Sequence, residues 1–560
     1  MVALAIPLFV MSCFKLPKSL CHDLNMLMAG YWWGDRDSKR RMHWKNWDSL
    51  CCSKLDGGLG FKDIESFNLA LLAKQWWSIM NKEDSVSFKV LKGKYFPNSS
   101  PRKVLKRPSS SYLWSSLLEG RKVVEEGSCW RVGDGKQIEV WEDAWLNKAP
   151  GFKATPPSQT PTPLKVAALI NEDNRTWKME MVNELFVESD VSIITRIHLS
   201  NRSMTDKQIW RDSPIGMLTV KSAYFYARMV LGKENQLMSQ RKPLWRLFWT
   251  AKTIPKVKYF VWRLLHEIIP IGSLLLKRGL DVDNYCTVCG QPGDTLRHVF
   301  LDCNLSKAVW SLCAPEVITA WERFWEEIEM WSQLLKWLHE KNLVETWMLV
   351  VWLLWDNRNH CFHRLSCRIP AEIARIAVRM KEDFLQISST SENTSHRRPA
   401  RWTPPSYNNV KLNVDAAFCP RSKVASLGMV VRNATGDFIL CAVMKTDKVE
   451  SSLHAELMAV EFGLETVKEI SVPFIFVESD SLMAIQEILK NQESFCQWKS
   501  IVANIFDMSL NYGFCHFTHI RRSANMCAHI LAKLPCNLGD SLIWRNNPPP
   551  DFCNPDILTE

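Results

Sequence analysis

Val410-Lys-Leu-Asn-Val-Asp415, His454-Ala-Glu456 and Phe476-Val-Glu-Ser-Asp480 set three acids on three separate elements, and their reading decides the fold of the carboxyl-terminal region. Lys411 to Phe418 alternates, with Leu412, Val414, Ala416 and Phe418 on one face and Asn413 and Asp415 on the other, the period of a strand. Leu427 to Val431 and Phe438 to Met444 are further strands, joined by the turn Asn433-Ala-Thr-Gly436-Asp437. The next element is helical, with Leu453, Leu457, Val460 and Leu464 as its buried stripe. Glu456 sits on that stripe, three residues after Leu453 and four before Val460. A carboxylate placed there needs a partner, because an isolated buried charge is costly. Phe474 to Asp480 is a fourth strand, Phe514 to Ile520 a fifth, and Asn525 to Leu534 a final helix. Taken singly, Asp480 also reads as a helix cap, Glu456 as a salt-bridge partner and Asp415 as a turn residue. Their joint spacing points to a shared site.

Three strands, helix, strand, helix, strand, helix, with acids at these positions, resembles the ribonuclease H fold. The resemblance implies that Asp415, Glu456 and Asp480 match the first three carboxylates of its two-metal Mg²⁺ site. There, one cation activates water and the other stabilises the leaving oxygen of a phosphodiester. His529 falls where better-known members carry a fourth Asp. Imidazole is a poorer Mg²⁺ ligand than carboxylate, so His529 is expected to shuttle a proton instead. Arg521, Arg522 and Asn525, beside the last helix, are expected to hold the backbone of a hybrid duplex. Glu478 reads as a spare acid or a surface charge.

Upstream, Cys286-Thr-Val-Cys289, His298 and Cys303 form a C-x2-C, H-x4-C pattern. Three thiolates and an imidazole make a tetrahedral zinc set, and Gly290 supplies the turn that lets both first sulfurs face one ion. Four protein ligands leave no open position, so this Zn²⁺ is expected to be structural. With Trp245, Trp249, Pro255, Trp262, Arg263 and Trp310 around it, the segment resembles the zinc-binding domain downstream of plant LINE-type (non-LTR) reverse transcriptases. Tyr31-Trp-Trp-Gly34, His43-Trp44, Gly57-Gly-Leu-Gly-Phe61 and Cys129-Trp-Arg-Val-Gly-Asp-Gly135 resemble the region just after the polymerase core of the same elements. No Asp-Asp pair occurs anywhere in the sequence, so the metal motif of a polymerase palm is absent and DNA synthesis is not expected. The glycines of 57–60 lack the Lys-Ser/Thr of a P-loop and read as a turn.

The expected fold class is multi-domain: mainly α N-terminal and central regions with a small zinc-binding module, then an α/β ribonuclease H-like domain with a five-stranded mixed sheet and flanking helices. The expected boundaries are 1–148 for the remnant following a polymerase core, 149–210 for a linker and irregular region, and 211–312 for the zinc-binding domain. A helical connector follows at 313–387, a linker at 388–405, the ribonuclease H-like domain at 406–536 and a tail at 537–560.

A chain of 560 residues exceeds one core, and 46% hydrophobic with 23% charged residues is globular composition. The 26 Trp read mainly as packing surfaces. Net charge is +11, unevenly spread. From residue 406 onward 13 Lys and Arg face 17 Asp and Glu, near −4; the first 405 residues hold the remaining 57 and 42, near +15. A basic body joined to an acidic site suits a polyanionic partner. The 18 Cys form no small secreted framework, the apolar start Val2 to Phe14 lacks a leading positive charge, and Trp347 to Trp355 is too short to span a bilayer. The expected function is an RNA–DNA hybrid ribonuclease derived from a LINE-type element, with a catalytically silent nucleic-acid-binding remnant as the alternative. Expected partners are an RNA–DNA hybrid or other nucleic acid and a separate reverse transcriptase, with no membrane. Nucleus or cytoplasm is inferred from the substrate, and secretion is not expected.

Overall fold

The computed structural model describes residues 7–35, 41–81, 85–99, 101, 104, 107–147, 152–156, 163–233, 242–327, 329–363, 366–392, 401–406, 409–470, 472–490 and 496–549. Parts of the expected linkers (157–162 and 393–400) and of the tail (550–560) lie outside them. Two compact units form, one from Met1–Lys15, Leu69–Val230 and Arg397–Glu560, the other from Leu16–Asn68 and Leu231–His396. Among the described residues no helix is long and apolar enough to cross a membrane.

The second unit is helical and its core is aromatic. Trp262, Trp310, Trp321 and Trp347 are fully buried, together with Phe248 and Phe300. Gly57 has φ +82°, and a Cβ on it would lie 2.9 Å from the Trp245 ring. Its carbonyl accepts from Trp262 Nε1 at 3.0 Å. The glycine loop is thus a packed turn. Pro370–Glu392 is one helix, so 388–392 continue it where a linker was expected.

In the first unit, Ser128–Arg131 pairs antiparallel with Lys207–Trp210. The Asp206 carboxylate accepts from the backbone N–H groups of Gly133, Gly135 and Gln137 at 2.7, 2.9 and 2.8 Å, closing the Gly-Asp-Gly loop. Around this pair Trp130, Val140, Trp145, Val166, Val182 and Ile194 form a core. This corrects the expected linker and irregular region at 149–210. Its apolar residues are shared among short helical turns, Val166–Leu169, Met179–Leu185 and Glu188–Ile194, too brief to show a period.

The carboxyl-terminal domain comprises β1 (Val410–Cys419), β2 (Val424–Arg432), β3 (Phe438–Thr446), α1 (Ser452–Val467), β4 (Phe474–Ser479), α2 (Leu482–Lys490), α3 (Lys499–Ser509), β5 (Phe514–His519), α4 (Met526–Leu531) and β6 (Ser541–Arg545). The sheet order is β5-β4-β1-β2-β3-β6, with β1–β4 and β4–β5 parallel and the other pairs antiparallel. All five expected strands are present. The sixth, β6, comes from the segment read as tail and pairs along β3. Leu412, Val414, Leu427 and Met429 bury one sheet face against α1 and α3, while Val430, Cys441 and Val443 pack with Ala528 and Leu531 of α4 on the other.

Candidate active site

β1 pairs Asp415 with Gly428 of β2, while its parallel partner β4 ends at Ser479, opposite Val414. The ladder therefore stops one residue short of Asp415, and the chain leaves β4 at Asp480. α1 approaches the face of Leu412 and Val414 closely: a Cβ on Gly463 would lie 2.9 Å from Val414 Cγ1. α4 approaches the opposite face over Gly428, where a Cβ would lie 2.4 Å from the Ala532 backbone nitrogen. Glycine is required at both contacts for steric reasons. The result is convergence: one oxygen from each of Asp415, Glu456 and Asp480 lies within 4.8 Å of the others.

Crowding Asp415 and Glu456 against Asp480 in a shielded place raises the cost of ionising those two. Burial, then the charges of Asp415 and Asp480, pushes Glu456 up to about 9. Burial is also the main cause raising Asp415 to about 6, with the His529 hydrogen bond acting against it and Asp480 adding to it. Glu456 Oε2 is shielded from solvent with no hydrogen-bond partner among the described residues. An all-oxygen donor set, carboxylates held back from ionising and an orphaned oxygen together fit a hard divalent cation.

His529 Nδ1 lies 2.7 Å from Asp415 Oδ2, and Arg522 Nη2 lies 2.6 Å from His529 Nε2. A guanidinium only donates, so Nε2 accepts and Nδ1 carries the proton given to Asp415. Arg522 is exposed, as is Arg521. Asn525 departs from expectation. It is 0% exposed, donates to Val414 O at 2.8 Å and accepts from Asn413 at 3.3 Å, so it fixes α4 to β1 and is sealed from any duplex.

Glu478 is neither a spare acid nor a surface charge. It is buried, ion-paired with Lys411 at 2.7 Å, and accepts from Asn413 Nδ2 at 2.8 Å. Arg432 Nη2 donates to Asn413 Oδ1 at 3.1 Å, and its guanidinium lies 3.5 Å from the centroid of the Trp402 ring. This buried network under Asp415 was missed in the sequence. The available signal was strand parity, because Asn413 and Asp415 share a face and that face turns out to be covered.

In the other unit, Cys286, Cys289, His298 and Cys303 also bring their ligand atoms within 4.8 Å of one another. Cys286 and Gly290 close the knuckle: Gly290 N donates to Cys286 O and Cys286 N to Gln291 O, both at 2.8 Å, with Gly290 at φ +73°. His298 opens a π-helical turn, His298–Asp302, that leads directly into Cys303. Asp294, between the two halves, is buried against Arg358 of the helix Val344–Phe362. The cluster is thereby tied to the aromatic core.

Residues 413–534 match the family described as reverse transcriptase-like, and residues 218–310 that described as zinc-binding in reverse transcriptase. The chain is similar to the putative ribonuclease H protein At1g65750 of Arabidopsis thaliana, 24% identical over 569 residues, covering 95% of this chain and 87% of that protein. It is also similar to the uncharacterized mitochondrial protein AtMg00310 of Arabidopsis thaliana, 40% identical over 144 residues, covering 26% of this chain and 94% of that protein. Among solved structures, RNase H1 from the archaeon Halobacterium salinarum is 18% identical, covering 22% of this chain and 94% of that one, with a TM-score of 0.21.

Proposed function

The chain belongs to the family of plant retrotransposon-derived proteins that join a reverse-transcriptase zinc-binding domain to a ribonuclease H-like domain, and from that premise we propose that it is a Mg²⁺-dependent endoribonuclease acting on RNA–DNA hybrids. The observation that carries this reading is the meeting of Asp415, Glu456 and Asp480, with Glu456 Oε2 left without a partner among the described residues. The three carboxylates would hold the metal. Divalent cations bound there supply an activated water and charge stabilisation at the leaving oxygen. Cations held there would favour the ionised forms of Asp415 and Glu456 over the protonated ones. His529, held by Asp415 through Nδ1–H, presents Nε2 to Arg522. Withdrawal of Arg522 toward a phosphate frees Nε2 to take or deliver a proton. The substrate is read by its A-like shape and 2′-hydroxyls. A LINE-type origin, a separate reverse transcriptase as the source of hybrid, and a structural Zn²⁺ on Cys286, Cys289, His298 and Cys303 belong to the same proposal.

A second reading, binding without cleavage, is favoured by one observation: His529 occupies an Asp415 oxygen where an acid would leave it to the metal. A cleavage assay on an RNA–DNA hybrid separates the two. The parent is expected to cut the RNA strand in Mg²⁺ and to stop in chelator, with Asp415→Asn and Asp480→Asn slower by on the order of a hundredfold or more. Variants that cut as fast as the parent remove the site assignment.

A further inference from the structure

A cavity of about 80 Å³ lies in the first unit, where the strand pair Ser128–Arg131 and Lys207–Trp210 meets Gln497, Trp498 and Ser500 at the start of α3. Its wall carries Arg131, Arg196 and Arg211 with His198, against a single acid, Glu450. The Glu450 carboxylate is already engaged: Oε2 accepts from Asn147 Nδ2 at 2.7 Å and from Gln497 Nε2 at 3.3 Å. The lining therefore holds an excess of fixed positive charge.

Two guanidinium donors and one imidazole nitrogen there lack partners among the described residues. Arg196 Nε, Arg211 Nε and His198 Nδ1 are shielded from solvent with no hydrogen-bond partner among the described residues. A buried donor left unsatisfied is costly, and folded proteins keep few of them. Arg211 is also held in place, its guanidinium 3.4 Å from the centroid of the Phe152 ring and bonded to the Glu126 carbonyl. Burial is the first cause pulling Arg131 down to about 10 and Lys499 down to about 8; Arg131 adds to the Lys499 shift, and burial with Arg131 lowers Lys207. Arg131 and the lysines crowd one another, with Asp206 acting on Arg131 and Glu487 on Lys499 in the opposite sense, while His198 Nε2 faces Glu461 Oε2 at 3.9 Å.

We propose that this cavity is an oxyanion site for a tetrahedral phosphate, carried by free orthophosphate or by the 5′ end of a nucleic-acid strand. Its volume of about 80 Å³ has room for a small anion such as one phosphate. Arg196 and Arg211 supply charge-assisted donors to the oxygens. The site goes beyond the nuclease reading and stands without it, since none of Asp415, Glu456 and Asp480 lines the cavity.

The test is calorimetric titration of the full chain with orthophosphate at constant ionic strength. One saturable site is expected, weakened roughly tenfold in Arg196→Gln, the loss of one charge-assisted hydrogen bond, and partly recovered in Arg196→Lys. His198→Gln gives a parallel weakening and serves if Arg196→Gln does not fold. Asp415→Asn is expected to bind phosphate as the parent does. Competition by a 5′-phosphorylated dinucleotide, but not by its 5′-hydroxyl counterpart, identifies a strand end as the phosphate source; phosphate binding without such competition identifies the free ion. Absence of saturable binding, unchanged affinity in both Arg196→Gln and His198→Gln, or loss of binding in Asp415→Asn overturns the proposal.

Discussion

Glu456 concentrates the chemistry of the site in one side chain. Its carboxyl moves from an ordinary 4.5 to about 9, and that of Asp415 from 3.8 to about 6, both chiefly through burial. A folded-state value above the unfolded one means that the native chain holds the extra proton between the two. Stability therefore falls as pH rises from about 4 to 6 through Asp415 and from about 4.5 to 9 through Glu456. Thermal melts of metal-free chain should show a fall across this range that is shallower in Glu456→Gln and flattened by Mg²⁺, which binds the ionised form and stabilises the native state by mass action. Identical pH slopes in parent and variant contradict the buried-acid picture. Beneath, the Lys411–Glu478 pair is shielded and shared with Asn413, so Glu478→Ala should cost about 3–5 kcal/mol in chemical denaturation, against about 1 kcal/mol or less for a surface pair. The meeting of Asp415, Glu456 and Asp480 was legible from their spacing on strand and helix. Glu478 was not, because alternation along a strand tells which face a residue takes and not whether that face is covered.

Elements are held at this site by close backbone approach. α4 rests on Gly428, where an added Cβ would meet the Ala532 nitrogen at 2.4 Å and the Ala528 carbonyl at 2.7 Å, both backbone atoms. Neither can swing aside as a side chain would. Gly428→Ala should therefore cost about 1–3 kcal/mol and shift α4, which carries His529. Cleavage should fall by more than the lost stability accounts for; a stable variant of parental activity contradicts a positioning role for α4. Sequence periodicity gave β1 to β5 and α1, whose apolar residues repeat over several turns or pleats. β6 escaped it. Ser541–Arg545 has the burial pattern of an edge strand, with four of its five residues exposed, so no alternation marked it.

At the scale of the molecule, the nuclease-like domain is not set apart by the linker that precedes it. Arg131 Nη1 donates to Cys496 O at 3.1 Å, Asn201 N to Asn504 Oδ1 at 3.2 Å, and Arg202 pairs with Asp507 at 2.6 Å. The partners on the domain lie on α3 or just before it. A fragment spanning 401–549 should thus exchange the amides of Lys499–Ser509 faster than the full chain does, while the amides of β1 keep their protection; equal protection of α3 in both contradicts the docked arrangement. Such contacts, separated by some 300 residues in sequence, leave no local pattern to read, whereas the Cys286–Cys303 cluster is local and was legible from its spacing. The most direct measurement on the central claim is anomalous diffraction from crystals of the full chain soaked in Mn²⁺. Metal is predicted at about 2 Å from oxygens of Asp415, Glu456 and Asp480. Saturating Mn²⁺ that leaves these three carboxylates without a peak contradicts the metal-site reading.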